Sequence, residues 1–149
     1  MKVYVAASFA YNDRTKTEHR KSDIERVVNI VKQKLSAEYY LPHQLKIPNA
    51  WDMSLEDWSN KVFEHDIGAL DTADLVLFIS YGKENNSGSV WECGYATARG
   101  IPVVVVKMTN DVESLMITAT ARAIVREDEL NQYDFDTLPK FKTTLEQIS

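Results

Sequence analysis

A chain of 149 residues is the length of one domain and can bury a full core without disulfide or metal staples. Its formal net charge of −5, with no basic run longer than Arg20-Lys21, argues against a nucleic-acid polymer as partner. Cys93 is the one cysteine, so no intrachain disulfide forms, and His19, His43 and His65 are too widely spaced for a metal site; no cofactor is expected.

In chain order, Val3 to Phe9 reads as a short apolar strand, and the charge-rich stretch Ala10 to Lys21 as a long βα loop of the kind that binds ligands. Ser22 with Glu25 has the spacing of a capping box, and Ile24, Val27, Val28, Val31 and Leu35 recur at helical spacing, which predicts an amphipathic helix over 23–36. Tyr39, Tyr40 and Leu41 form a second strand that Pro42 ends, and a second long loop, His43 to Trp51, leaves the same edge of the sheet. Ser54, with Asp57 three residues on, starts a helix running to about Asp71. Trp58, Val62, Asp66 and Leu70 fall four apart on it, so a carboxylate sits within an apolar stripe. Burying Asp66 alone would cost several kcal/mol, so it is paired, protonated or faces a wet cavity. A structural Asp bonded to a neighbouring loop is the plain alternative, as core packing is for Trp58.

The run Asp74 to Ser80 is apolar enough for a strand buried on both faces, as is Ile101 to Lys107. Between them, Asn85 to Ala96 reads as a turn entering a helix, capped by Ser87 or Ser89, whose free N–H groups favour an anion. Glu92 falls in its first turns, where it either serves chemistry or only complements the helix dipole. Arg99-Gly100 closes this helix. A short helix around Val112 to Met116, a fifth strand near Ala121 to Val125 and a final amphipathic helix carrying Leu138, Phe141, Leu145 and Ile148 complete the pattern. Alternating strands and helices predict a single α/β domain over 1–149, a doubly wound five-stranded parallel sheet of flavodoxin-like or Rossmann-like type with helices on both faces. The longest uniform apolar run, Val103 to Val106, is far short of a bilayer span and the start shows no signal pattern, so no membrane partner and a cytoplasmic location are expected.

Three segments together resemble the nucleoside 2-deoxyribosyltransferase family: Val3 to Phe9, the run Asp66-Ile67-Gly68-Ala69-Leu70-Asp71-Thr72-Ala73-Asp74, and Ser87-Gly88-Ser89-Val90-Trp91-Glu92-Cys93-Gly94-Tyr95-Ala96. The resemblance covers nearly the whole chain. It implies exchange of nucleobases on 2′-deoxyribonucleosides, with Glu92 as the nucleophile, Asp66 as a second active-site carboxylate and Tyr4 as a residue that holds the nucleophile. It also implies substrate contacts from Phe9, Gln44, Trp58, Asn86, Ser87 and Gly88. The Ser114-Leu115-Met116 segment matches one that reaches a neighbouring subunit's site, so a homo-oligomer is implied. The partners are then deoxynucleosides and free bases.

The chemistry suits these residue types. A retaining base exchange needs a carboxylate to attack the anomeric carbon and a second acid of raised pKa to protonate the leaving base. Two positions depart from the family pattern. Asn86 stands where an Asp is common and cannot shuttle a proton, which leaves rerouting through Glu84 or altered base specificity. Ser114 stands where Asn is common. A hydrolytic N-glycosidase acting on nucleosides or nucleotides therefore remains the alternative, with Ser87 and Ser89 available to a phosphate. A non-catalytic nucleotide-binding module is a third reading, against which the nucleophile position itself argues.

Overall fold

The computed structural model describes residues 1–9, 13–84 and 86–137. Strand β1 (Lys2–Ala7) leads to α1 (Arg14–Lys34), β2 (Glu38–Tyr40), α2 (Leu55–Thr72), β3 (Leu75–Ser80), α3 (Ser87–Ala98), β4 (Val103–Lys107), α4 (Leu115–Thr120) and β5 (Ala123–Arg126). All five strands pair in parallel, in the order β2-β1-β3-β4-β5, so the expected doubly wound sheet is present. Winding reverses between β1 and β3, and the crevice beyond the carboxyl ends of those strands is where open α/β sheets take ligands. No helix of the described residues is long and apolar enough to cross a membrane.

Alternation along the strands gives the sheet two unlike faces. On one, Val3, Val5, Leu75, Leu77, Ile79, Val104 and Val106 pack against Ile24, Val27, Val28 and Val31 of α1, joined by Leu130 and Phe135. On the other, Tyr4, Ala6, Val76, Phe78, Val103 and Val105 meet Leu70 of α2, Cys93 and Ala96 of α3, and Ile117 of α4. Strand β3 is buried along its whole length, which is why Leu75 to Ile79 form an unbroken apolar run. Cys93 is one of the small buried side chains of the second face.

Several boundaries differ from the sequence reading. Helix α1 starts at Arg14, because the Asp13 carboxylate accepts from the backbone N–H of Thr15 and Lys16. Ser22 and Glu25 lie inside this helix, and its polar face supplied the charge that looked like a binding loop. Helix α4 starts at Leu115, where Ser114 Oγ accepts from the N–H of Ile117, so Val112 precedes it. The N-cap of α3 is Asn86, which makes no side-chain capping bond, rather than Ser87 or Ser89. Helix α2 begins as predicted, with Ser54 Oγ accepting from the N–H of Asp57. The loop after β2 contains two 3-10 turns, Pro42–Gln44 and Ala50–Asp52. The expected C-terminal helix with Leu138, Phe141, Leu145 and Ile148 lies outside the described residues.

The turn from β3 into α3 is pressed against the turn from β4 into α4. Gly82 has φ +80°, and a Cβ there would lie 2.7 Å from the Asp111 Cβ, so only glycine fits both the backbone and the space. Gly82 N–H donates to Ser80 Oγ at 3.1 Å, and Ser80 Oγ donates to Glu113 Oε2 at 2.9 Å; both side chains are buried.

Candidate active site

Three elements deliver the central groups. The middle of β1 points Tyr4 to the α2/α3 side of the sheet, where its hydroxyl donates to Glu92 Oε1 at 2.9 Å. On α3, Ser89, Cys93 and Ala96 form the buried stripe against the sheet, and this sets Gly88 and Glu92, one turn apart, toward the crevice. On α2, Asp66 accepts from the Tyr40 hydroxyl at 2.9 Å. Tyr4 and Tyr40 are register partners of β1 and β2, and their rings stack with centroids 5.3 Å apart at 20°. Two phenol–carboxyl pairs thus stand side by side.

Burial raises the Glu92 carboxyl to about 7; the Tyr4 hydrogen bond opposes the rise and the nearby Asp66 charge adds to it. Asp66 is also raised, again mainly by burial, with the Tyr40 hydroxyl and the His65 charge pulling it down. Tyr4 itself is pushed far above the ordinary phenol range by burial and by the two carboxylates, so it remains a donor. Two acids, both raised by burial, thus share one site.

Two hollows meet at these carboxylates. A smaller one of about 290 Å³ lies between α2 and α3, among Trp58, Phe63, Leu70 and Trp91. A larger one of about 490 Å³ opens toward Phe9, His43, Leu45, Ser87 and Ser89. Trp58, Val62, Asp66, Gly88 and Glu92 line both. An ideal Cβ built on Gly88 meets no atom within 4 Å, so the missing side chain leaves cavity space directly beneath Glu92.

The structure therefore brings together Glu92, Asp66, Tyr4, Phe9, Trp58, Ser87 and Gly88. Gln44 is exposed at the end of its 3-10 turn and lines neither hollow; His43, beside it, faces the larger one and packs its ring on Phe9. The Asn86 amide donates to the Gly82 carbonyl at 2.6 Å and also lies off both hollows. Ser114 is the cap of α4, and Met116 is 73% exposed, so neither reaches the hollows of its own chain. Glu84 is turned to Lys16 and Arg20 of α1. Sequence reasoning missed Tyr40 and His43. Tyr40 carried a usable signal, since alternation within Tyr39-Tyr40 puts one ring on each face of the sheet.

The family model for nucleoside 2-deoxyribosyltransferase matches residues 3–133. The chain belongs to this family. A curated relative, the nucleoside deoxyribosyltransferase of Lactobacillus johnsonii, is 26% identical over 84 residues, 54% of this chain and 56% of that protein; the match thus spans little more than half of the relative's length. Among solved structures, the 2-deoxyribosyltransferase of Bacillus psychrosaccharolyticus superposes with a TM-score of 0.77 at 24% identity, over 97% of this chain and 100% of that one. A CMP N-glycosidase from Clostridium botulinum superposes with a TM-score of 0.56 at 18% identity, over 89% and 96% of the two chains. At such identities the superpositions speak for the fold alone, and the deoxyribosyltransferase family contains this chain by its sequence match.

Proposed function

We propose that the protein exchanges the nucleobase of 2′-deoxyribonucleosides through a covalent intermediate on Glu92. A Glu92 oxygen attacks the anomeric carbon, the glycosidic C–N bond breaks, and its electron pair leaves with the base, which takes a proton from Asp66. The sugar is then held as an ester. An incoming base attacks the same carbon, the ester bond breaks back to the Glu92 carboxylate, and the proton from the incoming base returns to Asp66. Two inversions retain the configuration. Support comes above all from Glu92: a largely buried carboxyl, held by a neutral phenol at the junction of two hollows, with a second raised carboxyl beside it.

Trp58 and Phe9 offer ring surface for the base, and Ser87, Gly88 and Ser89 line the wall beside Glu92. Met116, Leu115 and Trp91 present exposed apolar surface, which a second copy of the chain would cover; this fits a homo-oligomer with the Ser114–Met116 segment near a neighbour's site.

Hydrolysis, with water in place of the incoming base, is the second reading. The open N-terminus of α3, with Asn86 turned to Gly82 and Ser87 and Ser89 facing the larger hollow, favours it by offering donors to an anionic group such as a phosphate. One chromatographic assay separates the two. A deoxynucleoside is incubated alone and then with a different free base; a new nucleoside only in the second tube is the expected result, and free sugar in equal amount in both tubes would establish the hydrolase.

A further inference from the structure

The mechanism asks Asp66 to carry a proton at a fixed place beside Glu92, yet Asp66 stands on a helix face with few neighbours able to orient a carboxyl. Among the described hydrogen bonds its partner is Tyr40, at 2.9 Å. The register of β1 and β2 fixes that phenol: Tyr4 pairs with Tyr40, so both rings leave the same face and stack, each directed to a different carboxyl. Tyr39, one residue earlier, points to the opposite face and donates instead to the Leu35 carbonyl at 2.7 Å. We propose that Tyr40 is a positioning residue: its hydroxyl orients the Asp66 carboxyl toward the hollow and favours its ionised form, so that Asp66 releases and recovers its proton within the turnover cycle.

This inference rests on the role given to Asp66 under the proposed function. The groups facing Asp66 are Tyr40 from β2, Tyr4 from β1, Glu92 from α3 and His65 from its own helix. Of these, Tyr40 donates directly and pulls the Asp66 carboxyl down against burial. Its own proton is held firmly, because burial and the Asp66 charge both push the Tyr40 phenol above the ordinary range. Tyr40 is thus a donor at every working pH.

Tyr40→Phe keeps the ring and its stack on Tyr4 and removes only the donor. In the resting protein, a carboxyl-carbon NMR titration should find Asp66 shifted to higher pH in the variant; an unmoved Asp66 in the folded variant overturns the proposal. That measurement needs no turnover, so it stands apart from the proposed function, which fails separately if the parent protein exchanges no base. In the exchange assay, kcat should fall about tenfold with KM changed less than about threefold. The alkaline limb of the pH–rate curve should move up, as Asp66 keeps its proton longer. In an Asp66→Asn background, Tyr40→Phe should change kcat no further; an equal tenfold loss there would mean that Tyr40 acts through something other than Asp66.

Discussion

The two faces of the sheet are built from the same strands and spend their side chains differently. On the α1 face, β1, β3 and β4 offer only aliphatic groups, and α1 returns Ile24, Val27, Val28 and Val31. On the other face the same strands carry Tyr4, and the helices opposite bring Glu92 and Asp66 to its hydroxyl and to that of Tyr40. The α1 face is packed with aliphatic side chains, whereas the α2/α3 face borders two hollows and carries partly exposed aromatics at Trp58, Phe63 and Trp91. Both faces carry a buried core, but the titrating groups gather on the second. The parity of a strand position therefore decides whether a substitution can reach the carboxyl pair.

Glu92→Ala should show the separation most sharply: base exchange falls by at least about a thousandfold, while the melting temperature stays at or above that of the parent. Residual activity near the parent level would remove Glu92 from the role of nucleophile. The converse is Leu77→Ala, on the α1 face, which should cost about 3 kcal/mol in denaturant unfolding through the cavity it leaves. Its kcat under folding conditions should be close to the parent value, and a selective loss of kcat would show that the two faces are not separable.

Gly88→Val tests the hollow without touching a polar group. The added side chain enters open space beneath Glu92, so kcat/KM should fall about thirtyfold, as expected for filled substrate space, with little change in stability. A fully active Gly88→Val would place the substrate elsewhere.

The smallest effect is read in stability against pH. The folded Glu92 carboxyl titrates near 7, above its ordinary 4.5, so the folded state holds this proton more tightly than the unfolded chain. That contribution is fully present below pH 4.5 and is lost as pH rises through about 7. Glu92→Gln should therefore melt near the parent at pH 4 and above it at pH 8, by an amount on the order of 2 kcal/mol. Equal melting at pH 8 would mean that the carboxyl is not strained by ionisation in the fold. Under the proposed mechanism the same carboxyl must be ionised to attack, so the exchange rate should fall as pH drops below about 7.

Much of this contrast was legible in the sequence. The unbroken apolar runs of β3 and β4 identified the central strands, because burial on both faces leaves no polar position. The apolar stripe around Asp66 marked a carboxylate that needed a partner, and the resemblance at Ser87 to Ala96 singled out Glu92. What stayed hidden depends on distant pairing or on competing local signals. Tyr40 matters only once β2 is known to lie beside β1 in a register that pairs it with Tyr4. The resemblance made Gln44 a base contact, but the 3-10 turn beginning at Pro42 carries it outward and leaves His43 at the hollow. The start of α1 was misplaced because Ser22 and Glu25 imitate a capping box, whereas Asp13, nine residues earlier, supplies the true cap.

The contact between Gly82 and Asp111 has a consequence for recombining this protein with its relatives. The β3–α3 turn sets where α3, and hence Glu92, begins; the β4–α4 turn carries Glu113 to Ser80 and Ser114 to the head of α4. With the Asp111 side chain occupying the space a Cβ on Gly82 would need, a turn of different length or bulk grafted at either place would meet the other before it met solvent. The pair behaves as one heritable unit. A chimera that exchanges residues 81–86 without 108–114 is expected to misplace α3, whereas one that transplants both turns together should retain it.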